Sequence, residues 1–468
     1  MTGATEFGLP LWLFRCVSLA GLTFACVAIT SLFTREPEAA GPRAAWFVGL
    51  LFPLIAVLEI KTTAFAMSGQ EAGLVLGFLA PAFALACLGW PAHWALGGLL
   101  WAGLMYSRPD AFVYIGAIMI AAFGFSPDSR RTLGLAFLKS GLICALLYLP
   151  WFLFAWSYYG SPVPHTVIAK FGLETWDAST FGLLAPVAAA IRKAPDVLCW
   201  TLAPIYDVLG AGPDTWPRWM HDGAFGLELL AIFYWLIPTA DRVGRMASLF
   251  SFFLFGYLAY ENVIGEYAPW YFPPLAFMSL VAIVSAIATL TRWIGSRFPA
   301  YGISFLLLAG LFGFLTFNFS MSLRPLRFKQ EVIEWDQRRL IGLWLKGQVA
   351  PGETVFLEPL GYIGYFSRCK MLDWPGLVSP EVVRVRKALP RKTGYTWIEV
   401  AEALKPSWIV ARRAEAEAMN DREFFQKNYE LRKVFDASDR ITAAGPAPGM
   451  RMVYAECVFG VFQLKKNP

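Results

Sequence analysis

The stretch AGLVLGFLAPAFALACLGW, residues 72–90, carries no charged side chain from end to end. A helix needs about 20 mostly apolar residues to cross a bilayer, and this stretch is close to that length. The whole chain is 57% hydrophobic and 16% charged, whereas a soluble domain is roughly 25% charged. This composition predicts a mainly α-helical membrane protein.

Similar apolar segments recur along the first two thirds of the chain. We predict about ten transmembrane helices, at residues 12–33, 44–58, 72–90, 94–107, 111–125, 133–156, 224–238, 246–260, 270–290 and 299–320. Segment 182–210 is interrupted by Pro186, Pro195 and Pro204. These prolines favour helices that lie on the membrane surface over another crossing.

Arginines in every second gap between these segments predict the orientation. They are Arg35 and Arg43, Arg130 and Arg131, Arg242 and Arg245, and Arg292 and Arg297. Because short cytoplasmic loops are rich in arginine and lysine, these gaps are expected inside the cell. The alternate gaps are then outside, with the tail after residue 320. Residues 1–11 would also be outside, so we expect a helix to precede the chain as given.

The tail beyond the last apolar segment has a different pattern. The prolines, glycines and alternating segments of the tail predict strands at 353–358, 371–373 and 407–410 and helices at 362–366 and 397–404. Strands that alternate with helices predict a small α/β domain. We therefore divide the chain into a transmembrane domain, 1–322, and an outer, periplasmic domain, 323–468.

Several kinds of chemistry lack their usual signatures. The chain contains no GxGxxG, Walker A, HExxH or GxSxG motif. With three histidines and no CxxC pair, we predict no metal site. The net charge of +6 comes with arginines in membrane gaps, so we predict no binding of nucleic acid.

A carboxylate precedes the apolar run of residues 72–90. Burying a charge near the membrane is costly, and such residues often mark functional sites. Glu71 ends the sequence Ser68-Gly-Gln-Glu71 and is a candidate for a binding site. The spacing alone favours the structural interpretation, since an acid in the first turn suits the helix dipole.

Two opposite charges lie in the short gap 108–110, at an outer membrane face. Arg108 and Asp110 lie in Ser107-Arg108-Pro109-Asp110. Ser107 as a cap and Pro109 in the first helical turn would explain this sequence structurally. The functional interpretation is phosphate recognition, because a guanidinium offers several coplanar donors. The sequence leaves both interpretations open.

The longest outer gap begins with Tyr158-Tyr-Gly-Ser-Pro-Val-Pro-His165 and continues to Lys170. A lysine beside the membrane is suited to a point-charge phosphate contact. The alternatives are a lysine that extends its ammonium to water and a hydrogen-bonded loop histidine. The later aromatic gap 261–274 fits either a pocket wall or an interfacial anchor.

Taken in order, these segments resemble the bacterial GT-C glycosyltransferases, in particular the mycobacterial arabinofuranosyltransferase and mannosyltransferase-like membrane proteins. The resemblance runs from residue 1 to about residue 410. It is carried by segments 2–12, 68–71, 107–110, 159–170, 270–274, 361–367 and 372–380. It implies a GT-C-like bundle with a periplasmic α/β domain, in the bacterial inner membrane.

The resemblance also implies an activity. Such proteins transfer a sugar from a polyprenyl-phosphate carrier to a glycan, lipid or protein acceptor at the outer face of the inner membrane. Arg108 and Lys170 would hold the carrier phosphate, Glu71, Asp110 and His165 would complete the pocket, and the tail domain would help to bind the acceptor. The only implied cofactor-like molecule is the polyprenyl-phosphate sugar, which is the donor substrate.

Two departures from the family pattern concern catalysis. The family's catalytic aspartate is expected after a first helix, and this chain begins beyond it. His165 stands where the family usually has asparagine, and Glu6 is a substitute base by position alone. Two other functions therefore stay open. One is a non-catalytic homologue that binds a glycan or lipid carrier, and the other is a transporter or flippase.

Overall fold

A computed structural model describes residues 5–35, 42–170, 185–205, 215–264, 268–294, 298–389 and 397–465. Its first part is a helical bundle. The helices are α1 (Thr5–Arg35), α2 (Pro42–Leu58), α3 (Ile60–Met67), α4 (Ala72–Leu88), α5 (Trp94–Ser107), α6 (Phe112–Phe125), α7 (Arg130–Tyr159), α8 (His165–Lys170), α9 (Ala185–Leu202), α10 (Arg218–Phe233), α11 (Arg242–Ile264), α12 (Pro273–Ile294) and α13 (Phe298–Phe328).

The tail folds around a sheet. After a π-helical segment, Lys329–Arg338, its elements are α14 (Arg339–Gln348), β1 (Thr354–Leu357), α15 (Leu360–Ser367), β2 (Lys370–Asp373), α16 (Pro380–Ala388), α17 (Trp397–Leu404), β3 (Trp408–Arg412), α18 (Arg413–Asn420), α19 (Glu423–Asn428), β4 (Tyr429–Asp436), α20 (Ser438–Ala443), α21 (Met450–Ala455) and β5 (Val458–Leu464). The strand order is β2-β1-β3-β5-β4.

Each of the ten predicted apolar segments is helical in the structure. Among the described residues, five helices are long and apolar enough to cross a membrane, and a sixth is added if the bent pair α2 and α3 counts as one span. The helices α4 and α6 are apolar but shorter. The chain is therefore a helical membrane protein, and a count of ten crossings goes beyond what these lengths show.

Segment 182–210, for which helices on the membrane surface are expected, contains one described helix, α9. This helix packs against α10 and α11, and Val197 and Leu202 are buried there. Arg192 remains exposed on its other side. The helix thus lies along the bundle with one face buried.

Glycines allow α1 and α4 to pack backbone to backbone. A Cβ atom on Gly77 of α4 would lie 2.7 Å from the Cα of Gly21 on α1, and one on Gly73 would lie 2.3 Å from Ser18. Small residues four apart permit such close approach of membrane helices. Since Glu71 directly precedes α4, this packing also determines where Glu71 lies.

A single long helix carries the tail domain. The candidate span Gly302–Gln348 has 47 residues, which at 1.5 Å per residue is about 70 Å. A hydrocarbon core is about 30 Å thick, so the charged end of this helix projects beyond it. The boundary predicted between residues 322 and 323 lies inside this helix.

The tail has the α/β character that the sequence predicts. All three predicted strands and both predicted helices are present, while β4 and β5 were not predicted. Strand β1 pairs in parallel with β2 and β3, and β5 is antiparallel to β3 and β4. Buried apolar side chains cover both faces of the sheet, including Phe356 on one and Val355 on the other.

Buried charges join the long helix to this sheet. Arg338 binds Glu334 at 2.6 Å and Glu456 at 3.0 Å, and Arg412 binds the same Glu456 at 3.2 Å. Lys329 also contacts Glu456. Because a partly buried charge is costly without its partners, the network holds the tail domain to the end of the helix.

The close packing of α1 and α4 predicts a clear difference between two glycine substitutions. Gly77→Ala should lower the free energy of unfolding by about 1–3 kcal/mol, because the new methyl group meets the backbone of α1. Thermal unfolding in detergent, followed by tryptophan fluorescence, measures the change.

The matched control is Gly116→Ala, in α6. A Cβ atom at Gly116 has nothing within 4 Å, and alanine is the better helix former. This variant should be as stable as the parent or slightly more stable. Equal stability of both variants would contradict the packing that we describe.

Candidate functional site

Four segments that are distant in sequence meet at one end of the bundle. They are the turn between α3 and α4, the gap between α5 and α6, helix α8, and the turn Pro269–Tyr271 before α12. All four belong to the gaps for which the arginine pattern predicts one side of the membrane. The structure therefore brings together four of the five predicted site residues, Glu71, Arg108, Asp110 and Lys170, and places His165 elsewhere.

A bend in the chain delivers Glu71 to this end. Helices α2 and α3 meet at an angle of 67°, and Glu59 caps α3 by accepting hydrogen bonds from the backbone N–H groups of Lys61 and Thr62. At the other end of α3, Arg15 Nε of α1 donates to the carbonyl of Met67 at 2.8 Å. These contacts define the turn that ends in Glu71.

Glu71 does not use its carboxylate to cap α4, since its side chain makes no hydrogen bond to the first N–H groups of that helix. Its Oε1 instead accepts from Arg108 Nη1 at 2.9 Å. The structural interpretation of Ser107 fails in the same way. Its hydroxyl donates back to the carbonyl of Gly103, and α6 begins without a side-chain cap.

Arg108 is the centre of the site. Its Nε and Nη2 donate to the two carboxylate oxygens of Asp110 at 2.9 and 2.8 Å, and its Cζ lies 4.5 Å from the centroid of the Tyr271 ring. The residue is only 8% exposed. Burial would lower the pKa of Arg108, but the Tyr114 phenol and the two carboxylates outweigh it, and the net pKa is raised.

Lys170 approaches the same tyrosine from helix α8. Its Nζ donates to the Tyr271 hydroxyl and lies 4.5 Å from the ring centroid. The salt bridges found among the described residues do not include Lys170. Two cations thus lie next to one buried phenol, and in the described part of the chain Arg108 is the one that is paired with carboxylates.

The site keeps unused hydrogen-bonding capacity. A guanidinium has five N–H groups, and the hydrogen bonds of Arg108 to Glu71 and Asp110 use three of them. Gln70 Oε1 is buried without a hydrogen-bond partner in the described part of the chain. Since buried polar atoms are usually satisfied, the site is suited to a polar ligand that accepts hydrogen bonds from Arg108 and offers a donor to Gln70.

His165 lies at the opposite end of α8 from Lys170 and contacts the tail domain. Its Nε2 donates to the carbonyl of Gly376 at 2.9 Å. The loop that contains Gly376 is braced by the buried Asp373, which accepts from the backbone N–H groups of Leu377 and Val378 at 2.6 and 3.1 Å. The described contacts of His165 are therefore between domains.

Sequence reasoning did not single out Tyr271, the residue that both cations share. It treated the aromatic segment around Pro269 as an interfacial anchor or pocket wall. A signal was nevertheless present, because this tyrosine follows an outer gap and precedes a proline-rich span. Part of that gap, residues 265–267, lies outside the described residues, as does the side chain of Glu6.

Comparison with solved structures shows which fold the chain resembles. The crystal structure of the Archaeoglobus fulgidus oligosaccharyltransferase tethered with an acceptor peptide matches with a TM-score of 0.50 and 15% identity, over 91% of this chain. The fold is of the GT-C type. The chain spans 62% of that protein's length.

Other matches are weaker or partial. ArnT from Cupriavidus metallidurans bound to undecaprenyl phosphate matches with a TM-score of 0.46 and 12% identity, over 98% of this chain and 85% of ArnT. Archaeoglobus fulgidus AglB, in complex with an inhibitory peptide and a dolichol-phosphate, matches with a TM-score of 0.49 and 14% identity. The match covers 91% of this chain and 62% of AglB. A model described as a domain of unknown function (DUF8728) matches residues 329–454. No curated protein sequence matches.

The hydrogen bond between His165 and Gly376 predicts that the tail domain restrains α8. His165→Ala should increase the rate of amide hydrogen exchange in residues 165–170 about fivefold, because one hydrogen bond contributes about 1 kcal/mol. Exchange followed by mass spectrometry in detergent measures this rate.

His165→Asn is the matched variant, since its amide also donates a hydrogen bond. It should retain most of the protection of α8. Equal exchange in the parent and in His165→Ala would show that this contact does not restrain the helix.

Proposed function

We propose that this chain binds a polyprenyl-phosphate-linked sugar and transfers the sugar to a cell-envelope acceptor, which is a glycan, a lipid or a protein. One observation carries the proposal. Arg108 and Lys170 both lie against Tyr271, each 4.5 Å from the centroid of its ring, at the end of a GT-C bundle where the tail domain also lies.

The two cations have different chemical roles. Lys170 supplies a point charge that no described carboxylate neutralises, and it is the better contact for the carrier phosphate. Arg108 is held in one orientation by Glu71 and Asp110, which leaves two N–H groups for a ligand. Preoriented donors stabilise the negative charge that develops on a departing phosphate.

The reaction is a single displacement. The acceptor hydroxyl oxygen forms a bond to the anomeric carbon, the bond from that carbon to the carrier phosphate breaks, and polyprenyl phosphate leaves. A carboxylate must accept the hydroxyl proton. The resemblance assigns that role to an aspartate of the first outer loop, and no described residue takes it here.

The finer parts of the proposal rest on the sequence. The resemblance to mycobacterial arabinofuranosyltransferases supports a location in the bacterial inner membrane, with the site and the residue 323–468 domain on the periplasmic side. The arginine pattern supports the same orientation and about ten crossings. The oligosaccharyltransferase of similar fold was solved tethered with an acceptor peptide, which supports transfer to an acceptor, and the resemblance supports an acceptor-binding role for the second domain.

One alternative has a specific observation in its favour. The two carboxylates that the structure describes at the site, those of Glu71 and Asp110, are engaged by Arg108. A carboxylate that is held by a guanidinium is a weak base. A non-catalytic homologue that binds the carrier without turnover would fit this arrangement.

Substitution of Lys170 tests the phosphate contact. Lys170→Ala should weaken binding of undecaprenyl phosphate at least tenfold, because the positive charge next to Tyr271 is lost. Sugar transfer in membranes should fall by the same factor or more. Binding is measured by native mass spectrometry, and transfer with a radiolabelled polyprenyl-phosphate sugar.

The control is Lys387→Ala, which removes an exposed lysine of the tail domain and should change neither result. Lys170→Arg should retain part of the binding. Unchanged carrier binding in Lys170→Ala would refute the site. Carrier binding that depends on Lys170 but never leads to transfer would favour the non-catalytic alternative.

A further inference from the structure

Arg386 of α16 carries a half-buried guanidinium in the tail domain. Its Nη1 donates to the carbonyl of Pro375 at 3.1 Å, and its Cζ lies 6.0 Å from the centroid of the Trp374 ring. The bond to Pro375 is the one hydrogen bond that this guanidinium makes to the described residues. Its Nη2 is buried and has no hydrogen-bond partner in that part of the chain.

The N–H groups of Nε and Nη2 lie along one edge of a guanidinium, and a carboxylate or phosphate binds this edge with two oxygens. At Arg108 the carboxylate of Asp110 occupies the edge, at 2.9 Å from Nε and 2.8 Å from Nη2. At Arg386 no described residue occupies the same edge. Two donors with the geometry for an oxyanion therefore lack an acceptor.

Both carboxylates of the surrounding segment, 370–388, are engaged elsewhere. Asp373 accepts hydrogen bonds from two backbone N–H groups of its own loop, at 2.6 and 3.1 Å. Glu381 pairs with Lys370 at 3.5 Å. The segment thus supplies no counter-ion to Arg386, although it supplies the hydrogen bond that orients its guanidinium.

The electrostatic environment of Arg386 differs from that of Arg108 in the same respect. Burial lowers the pKa of Arg386, and no described carboxylate raises it again. At Arg108 two carboxylates contribute to the raised pKa. Because a partly buried charge without a partner is costly, a bound oxyanion would stabilise Arg386.

The loop 373–379 holds the acceptor of this hydrogen bond in a fixed place. Gly376 has a φ of +100°, which favours glycine. A Cβ atom at this position would lie 2.8 Å from Cγ2 of Val383 in α16. The loop therefore packs directly on the helix that carries Arg386, and the carbonyl of Pro375 orients the guanidinium.

The same loop lies against α8. Pro375 and Gly376 present consecutive carbonyls, of which the first accepts from Arg386 and the second from His165. Helix α8 runs from His165 to Lys170, which is about 7.5 Å. The edge of Arg386 and the phosphate site are thus connected through one short helix.

We propose that Nε and Nη2 of Arg386 bind an oxyanion, a carboxylate or a phosphate, of the molecule that receives the sugar. The identification of this molecule as the acceptor rests on the proposed function. Arg108 and Lys170 serve the phosphate of the carrier at the other end of α8, so a second anion belongs to the second substrate. The site selects acidic acceptors over neutral ones.

Three pairs of probes test the site in the full-length protein in detergent, each pair a charged molecule and its neutral partner. They are trigalacturonate and its methyl ester, mannose 6-phosphate and mannose, and dihexanoyl phosphatidylglycerol and dihexanoylglycerol. Calorimetric titration measures the dissociation constants. In at least one pair the charged probe should bind about tenfold more tightly or better. That pair shows whether the oxyanion is a carboxylate or a phosphate and whether a sugar or a lipid carries it.

Substitutions at two neighbouring positions make the test specific. Arg386→Gln should raise the dissociation constant of the charged probe about tenfold, because the charge is lost. Arg386→Lys keeps the charge but not the pair of coplanar donors, so its affinity should lie between the two. Lys387→Ala removes an exposed cation from the next position of α16 and should leave binding unchanged. Undecaprenyl phosphate binding should be the same in Arg386→Gln as in the parent, which shows that the variant is folded.

The outcomes separate this inference from the proposed function. Equal binding within every pair, or a preference that Arg386→Gln leaves unchanged, overturns the oxyanion site and leaves the transferase proposal standing. An equal loss in Lys387→Ala also overturns it, since the general charge of α16 would then explain the binding. Binding that depends on Arg386, in a chain that does not bind undecaprenyl phosphate, supports the oxyanion site and refutes the transferase.

Discussion

The structure depends on the burial of one guanidinium. Arg108 is nearly inaccessible to water at the end of an apolar bundle, and an unpaired charge there would be strongly destabilising. Glu71 and Asp110 supply the pairing, one from before α4 and one from before α6. Because these carboxylates come from separate helices, the ion pairs hold the ends of α4, α5 and α6 in one arrangement, with Tyr271 stacked beside them.

That arrangement requires close control of the neighbouring backbone. The glycine contact between α1 and α4 brings the two helices to a distance that no side chain would allow, and the bend capped by Glu59 turns the chain toward the site. Neither the glycine contact nor the bend involves the guanidinium of Arg108 directly. Both place Glu71 within hydrogen-bond distance of Arg108, so a packing interaction inside the bundle determines the electrostatics at its end.

The tail domain is connected to the helices that carry the site. It contacts the site-bearing bundle through His165 on Gly376, and the network around Glu456 fixes it to the long helix. Helix α8 carries His165 at one end and Lys170 at the other. The position of the cation next to Tyr271 is therefore linked to the position of the tail domain.

The sequence by itself determined that lipid surrounds this protein and where its helices lie along the chain, because charge-free runs such as 72–90 are stable only in lipid or a large core. It also indicated which charged residues are candidates for the site, because charges near lipid are energetically costly and often mark functional sites. It did not reveal that Tyr271 is shared by Arg108 and Lys170, or that His165 contacts the tail domain. Those contacts join residues 101 to 211 positions apart, and only the packing of the helices brings such residues together.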